Sequence, residues 1–133
     1  MSPNLSYLNE EQRESLDDLP FAVMLPRELP DGWSVAGLDF TEDEEGASFS
    51  LSLEKGAASV SFLTTNEGVG DPPGGERTSR HSHPELGELQ VEHEEDGDFL
   101  SDWLEVENGY SALGGKGATD QDLDGLIAVL AVF

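Results

Sequence analysis

The clearest pattern in this chain is a strict alternation of apolar and polar residues at positions 47–54. Successive side chains of a β-strand point to opposite faces, so the pattern predicts a strand with one apolar face packed on the core and one polar face exposed to solvent. The alternation resumes after Lys55 and Gly56. We therefore predict a β-hairpin over residues 47–64. Its inward positions are Ala47, Phe49, Leu51, Leu53, Ala58, Val60 and Phe62.

Weaker alternation predicts further strands at 33–40, 86–95, 99–106 and 110–113. Between the first hairpin and residue 86 the apolar pattern disappears, while glycines and prolines accumulate. This composition is typical of loops, so we expect a long flexible loop at about 65–84.

Two segments carry helix signals. Asn9 followed by Gln12 has the spacing of a capping box and predicts a short helix over 9–18. Thr119 followed by Asp122 predicts a second N-terminus, and an apolar stripe with helical spacing extends that helix to about residue 130. The stripe consists of Leu123, Leu126, Ile127 and Leu130.

The order of these elements predicts an α+β fold. We expect residues 1–133 to form a single acidic domain. It should contain an antiparallel sheet of about five to six strands, a short N-terminal helix, and a C-terminal helix packed on one face.

Charge limits the partners of this domain. The chain has 29 acidic and 6 basic residues, a formal net charge of −23. Such a protein repels phosphate, so we expect no nucleic-acid partner and no direct binding to an anionic membrane. The acids are spread along the chain, which is typical of a halophile-like surface stabilised by salt. A mesophilic acidic fold and a disordered acidic chain are the alternatives, and the alternating apolar positions favour a folded protein.

Cysteine is absent, which excludes disulfides, thiolate metal sites and cysteine nucleophiles. The sequence contains neither a signal-peptide pattern nor an 18-residue apolar run. We expect a soluble cytoplasmic protein, or an extracytoplasmic one if a leader has been removed. The sequence leaves the oligomeric state open.

Two regions carry a family resemblance. The proline-rich run from Leu25 to Trp33 leads through a glycine and an aromatic residue into a strand. Trp103, the glycine-ended segment 110–115 and the capped helix at 119–130 close the chain. Over about residues 21–132 this arrangement resembles bacterial domains of unknown function related to anti-sigma-factor and sporulation-lipoprotein sensor modules. The resemblance implies a non-catalytic binding or sensing module and transfers no functional residues.

Two groups of side chains are candidate metal ligands. Asp120, Asp122 and Asp124 with Gly125 reproduce the opening of a calcium loop. The position that should close such a loop with a carboxylate is Ala131, so a helix N-terminus stabilised by acidic residues is the alternative interpretation.

The second group is histidine-based. His81, His83 and His93, with glutamates beside His93, form a candidate zinc or other transition-metal site. Structural or exposed histidines are the alternative.

No catalytic residue can be nominated from sequence. The glycine-rich segments fail the phosphate-loop pattern, and no G-x-S-x-G elbow occurs. We therefore expect a non-catalytic binding or sensing module with a protein or small ligand as partner, acting through a sheet face or the 65–84 loop. No cofactor is expected, calcium being the one candidate. The alternatives are a metal-dependent module, a carboxylate-based enzyme and an acidic decoy for a basic protein.

Overall fold

The computed structural model describes residues 7–18, 21–30, 32–42, 44, 46–66, 76–85, 87–95, 97–101 and 103–132. These residues form helices and strands in the order α1 (Glu10–Asp17), β1 (Met24–Pro26), β2 (Ser34–Glu42), β3 (Ala47–Lys55), β4 (Ala58–Thr65), β5 (Arg77–His83), β6 (Gly87–His93), β7 (Asp98–Ser101), β8 (Leu104–Val106), β9 (Gly109–Lys116), α2 (Asp120–Ala128) and β10 (Leu130–Val132).

Most strands belong to one eight-stranded antiparallel sheet. Its order is β2-β3-β4-β9-β7-β6-β5, and β8 pairs separately with β9. Strands β1 and β10 form a small second sheet. The predicted α+β class with an antiparallel sheet is confirmed, but the sheet has more strands than the five or six predicted.

The predicted hairpin over 47–64 is confirmed as β3 and β4. Leu51 lies opposite Phe62, and Leu53 lies opposite Val60. All four side chains have 0% exposure. Because the residues between them are mainly serines, the outward face carries hydroxyl groups while the inward face forms the core.

The expected loop at about 65–84 is wrong over Arg77–His83, which form β5. Residues 67–75 of that expected loop lie outside the described residues. Strand β5 gave no apolar alternation because its inward positions are Ser79, His81 and His83. The predicted strand 99–106 is divided into β7 and β8.

The predicted capping box at Asn9 and the predicted N-cap at Thr119 are both present, and Thr119 also forms a capping box. Asn9 and Gln12 exchange hydrogen bonds of 2.8 and 3.0 Å, and Thr119 and Asp122 exchange two of 3.1 Å. Helix α2 ends at Ala128 instead of reaching 130, because Leu130 begins β10. Among the described helices, none has the length and apolar content needed to cross a membrane.

Helix α2 packs on the inward face of the sheet, beside β5. Its apolar stripe supplies buried residues to the common core, which also contains the inward side chains of β3 and β4. The small β1–β10 sheet adds further buried apolar side chains. The core contains Met24, Leu25, Phe49, Phe62, Leu113, Leu123, Leu126, Ile127 and Leu130.

Candidate functional site: a buried histidine and serine network beside a cavity

The inward face of β5, together with His93 at the end of β6, is polar although it is buried. Ser79 and His81 of β5 are 9% and 3% exposed, and His93 of β6 is 7% exposed. Antiparallel pairing places His93 opposite Arg77, so His93 lies diagonally across from Ser79. Diagonal neighbours are within reach of a long or aromatic side chain. The register of this hairpin therefore brings a hydroxyl group and two imidazoles together.

The Ser79 hydroxyl lies between the two imidazoles. Its Oγ is 2.8 Å from His81 Nε2 and 2.7 Å from His93 Nε2. On the other side of its ring, His81 Nδ1 lies 2.5 Å from Asp124 Oδ1. These contacts form a continuous hydrogen-bonded chain from β6 through β5 to helix α2.

The carboxylate fixes the direction of this chain. An ionised carboxylate only accepts hydrogen bonds, so His81 donates from Nδ1 and, as a neutral ring, accepts at Nε2. Ser79 then donates its hydroxyl hydrogen to His81 and accepts from His93 Nε2. We name His93, Ser79, His81 and Asp124 the relay.

A second carboxylate lies near the other end of the relay. Asp120 accepts two hydrogen bonds from the Arg77 guanidinium, at 2.8 and 3.0 Å, and its Oδ1 lies 3.7 Å from His93 Nε2. The Arg77 hydrogen bonds lower the pKa of Asp120. Burial and the nearby Arg77 charge lower the pKa of His93, which favours the neutral imidazole. Asp120 and Asp124 reach β5 together because residues four apart share one face of a helix.

The other candidate ligands lie elsewhere. His83 donates from Nε2 to the Leu130 carbonyl oxygen at 2.7 Å, and its Nδ1 accepts from the Glu85 backbone at 3.0 Å. It thus joins β5 to β10 and is not part of the relay. Asp122 caps α2 and pairs with Lys55 at 3.0 Å. Hydrogen bonds from Lys55 and from the Thr119 backbone lower the pKa of Asp122.

In the structure the three aspartates of the calcium hypothesis do not converge on one point. Asp120, Asp122 and Asp124 contact Arg77, Lys55 and His81 respectively. Across the described part of the chain, no group of three or more histidine, aspartate or glutamate side chains is arranged to hold a metal ion. Calcium at the aspartates and a transition metal at the histidines stay predictions.

A cavity of about 510 Å³ lies beside the relay. His93 contributes to its lining, and so does Arg77, whose guanidinium is engaged by Asp120. The remaining lining residues are Glu76, Glu94, Glu95, Gly97, Gly117 and Ala118. Cavities of this size accommodate small molecules.

Two glycines shape one side of the cavity. Gly97 and Gly117 have φ angles of 98° and 79°, in the left-handed region that glycine adopts most easily. The Gly117 amide donates to the Gly97 carbonyl oxygen at 3.2 Å, which joins the β6–β7 turn to the segment before α2. A side chain at either position would strain this junction.

The sequence predicts His81, His93, Asp120 and Asp124 as ligands, but in two separate metal sites. It does not predict Ser79 and Arg77, because both lie in the expected loop. The alternation of Ser79, His81 and His83 was the available signal, since period-two spacing of buried polar residues also marks a strand face.

Comparisons with protein-family models, characterised proteins and solved structures find no match to this chain.

Proposed function

We propose that this chain is a binding module whose cavity takes a small organic cation. The observation that carries the proposal is a cavity whose lining includes three glutamates and a single arginine that is paired with Asp120. The sequence resemblance to bacterial sensor-related domains supports the same class of function.

The charges of the lining favour a cation. Glu76, Glu94 and Glu95 have no ion-pair partner among the described residues, whereas Arg77 is neutralised by Asp120. Within about 4 Å, one carboxylate attracts a cation by about 1 kcal/mol in water and more where solvent is partly excluded. An anionic ligand would meet three uncompensated negative charges.

The shape of the cavity favours a small and compact ligand. The glycine junction and Ala118 offer little side-chain bulk, so a group with several methyl substituents can approach the backbone there. His93 contributes an aromatic residue to the lining. Quaternary ammonium groups combine these properties of positive charge and apolar surface.

Calorimetric titration with choline tests this proposal. Choline is expected to bind at least about tenfold more tightly than its uncharged carbon isostere, dimethylbutanol, because only choline is attracted by the carboxylates. Ionic strength must be constant, since salt screens these interactions.

A matched pair of variants separates the cavity from the general acidity of the surface. The double change Glu94→Gln and Glu95→Gln is expected to weaken choline binding about tenfold. Glu28→Gln with Glu105→Gln removes the same charge from exposed positions outside the cavity and is expected to leave binding unchanged. Equal weakening by both pairs, or equal affinity for choline and dimethylbutanol, would refute the proposal.

We also propose that the remaining acidity is a halophile-like solvent adaptation. Thermal unfolding should then shift upward as sodium chloride rises to molar levels, because screening reduces repulsion between carboxylates. Millimolar calcium at matched ionic strength tests the metal hypothesis. Calcium would have to displace Arg77 and Lys55 from Asp120 and Asp122, so we expect no separate calcium effect.

A further inference from the structure

Three members of the relay have the connectivity of a nucleophile, a base and an orienting acid. Ser79 Oγ donates to His81 Nε2 at 2.8 Å, and His81 Nδ1 donates to Asp124 at 2.5 Å. In acyl-transfer enzymes this order of contacts lets the imidazole take the hydroxyl proton while the carboxylate fixes the tautomer. The arrangement is recognised by geometry and not by order along the chain.

The position of the serine relates this group to the cavity. Ser79 is 9% exposed and lies on β5, the last strand of the sheet, so it is not surrounded by strands on both sides. The His93 ring is hydrogen-bonded to Ser79 and also lines the cavity. A molecule in the cavity is therefore one side chain away from the hydroxyl.

We propose that Ser79 is a nucleophile that accepts a small acyl group from an ester bound in the cavity, with His81 as its base and Asp124 as a positioning residue. The substrate class, a short-chain ester of a cationic alcohol, rests on the proposed function. Rotation of the His93 ring admits the ester carbonyl to Ser79 Oγ.

The reaction requires the ester, water and the side chains of the relay, and no other reactant. Ser79 Oγ forms a bond to the carbonyl carbon as its proton moves to His81 Nε2, and the bond from that carbon to the alcohol oxygen breaks. His81 returns the proton to the departing alcohol. Water then adds to the acyl-serine by the same route, which releases a carboxylic acid and restores the Ser79 hydroxyl. After this rotation the His93 Nε2 hydrogen no longer bonds Ser79 Oγ and is free to bond the carbonyl oxygen as negative charge develops on it.

The first experiment incubates the full chain with acetylcholine or with its uncharged isostere, dimethylbutyl acetate, and maps acetylated peptides by mass spectrometry. Acetyl groups are expected on the peptide containing Ser79. Acetylcholine should react about tenfold faster than the isostere. Acetylation of Ser79 at equal rates by both esters would overturn the substrate class.

Variants test the assigned roles. Ser79→Ala should abolish the modification, and His81→Asn should slow it by about 10²-fold or more. Ser61→Ala, which changes a serine whose hydroxyl is hydrogen-bonded to that of Ser52, should leave the rate unchanged. Asp124→Asn should slow acetylation and Asp124→Glu should partly restore it, whereas a purely structural aspartate would alter stability without this rescue. His93→Ala should slow the reaction, and acceleration would overturn its role as a donor.

The results for the wild-type protein decide between this inference and the proposed function. If wild-type Ser79 stays unacetylated and no acetic acid is released while the protein binds choline, this inference fails and the proposed function stands, and the relay is then a polar contact that fixes α2 on the sheet. If choline does not bind, the proposed function fails. Circular dichroism of each variant shows whether it remains folded.

Discussion

The β3–β4 and β5–β6 hairpins lie towards opposite edges of one sheet, and the inward faces of β3–β4 and of β5 differ in chemistry. In β3 and β4 the inward positions are aliphatic or aromatic up to Phe62, and the contacts are apolar. In β5 the equivalent positions are Ser79, His81 and His83, all buried and hydrogen-bonded. Both hairpins have regular antiparallel pairing.

The contrast shows that backbone pairing and side-chain chemistry are separable. An apolar face gains stability from area removed from water, in rough proportion to that area. A buried polar face gains little net free energy per hydrogen bond and loses much when one partner is removed. The first hairpin is therefore suited to a core, whereas the second imposes one specific arrangement on α2 and is suited to a site.

The largest expected effect comes from the apolar hairpin. Phe62→Ala should lower the free energy of unfolding by about 3–5 kcal/mol, because Phe62 is fully buried and its removal leaves a cavity. Urea unfolding in molar sodium chloride measures this. Ser59→Ala, an exposed change on the outward face of the same strand, should stay within about 0.5 kcal/mol. A loss below about 1 kcal/mol for Phe62→Ala would contradict a close-packed core here.

Removing the central group of the polar hairpin should have a smaller effect. Ser79→Ala leaves both imidazoles without their shared partner and should cost about 1–3 kcal/mol. The combined change Ser79→Ala, His81→Leu and His93→Leu should cost less than the sum of the three single changes, because it leaves fewer polar groups unsatisfied. Urea unfolding of the four variants gives the coupling. Strict additivity would show that the relay does not act as a unit.

The pH dependence of stability distinguishes the hairpins through His93. Its folded pKa is lowered below the ordinary value of about 6.5, so unfolding takes up a proton as pH falls through that value. The stability associated with neutral His93 is thus present above about pH 6.5 and lost towards lower pH, with a slope of at most about 1.4 kcal/mol per pH unit. The facing charged groups are Arg77, Asp120, His81 and Glu92.

Thermal unfolding of wild type and His93→Gln between about pH 8 and pH 5 measures this term. The variant should show a shallower decline. Parallel curves would mean that His93 does not contribute to the pH dependence. Below about pH 4, protonation of Asp120, whose folded pKa is lowered by Arg77, should destabilise both proteins.

The smallest expected effect concerns an exposed ion pair near the apolar hairpin. Lys55 at the end of β3 pairs with Asp122, and its side chain is 42% exposed. Lys55→Met should cost less than about 1 kcal/mol in dilute buffer, and the difference should shrink in molar salt. Urea unfolding at two salt concentrations measures it. A cost that is large and independent of salt would indicate that Lys55 acts through packing on Trp33 instead.

Much of the fold could be read from local pattern. The hairpin at 47–64 and the two helix N-caps depend on residues close together in sequence, and each was predicted. Strand β5 could not be recognised from apolar alternation, because its inward residues are polar and it follows a glycine- and proline-rich segment. Strands β1 and β10 are only 3 residues each and pair across almost the whole chain.

The sequence by itself determined the strong net charge, the apolar face of β3 and β4, and the helix starts at Asn9 and Thr119. These depend on composition, on a period of two, and on side chains bonding their neighbours. Only the tertiary structure decided that Ser79, His81, His93 and Asp124 meet. Their contacts combine a strand register with the docking of a helix more than 40 positions away, and no spacing in the sequence encodes that distance.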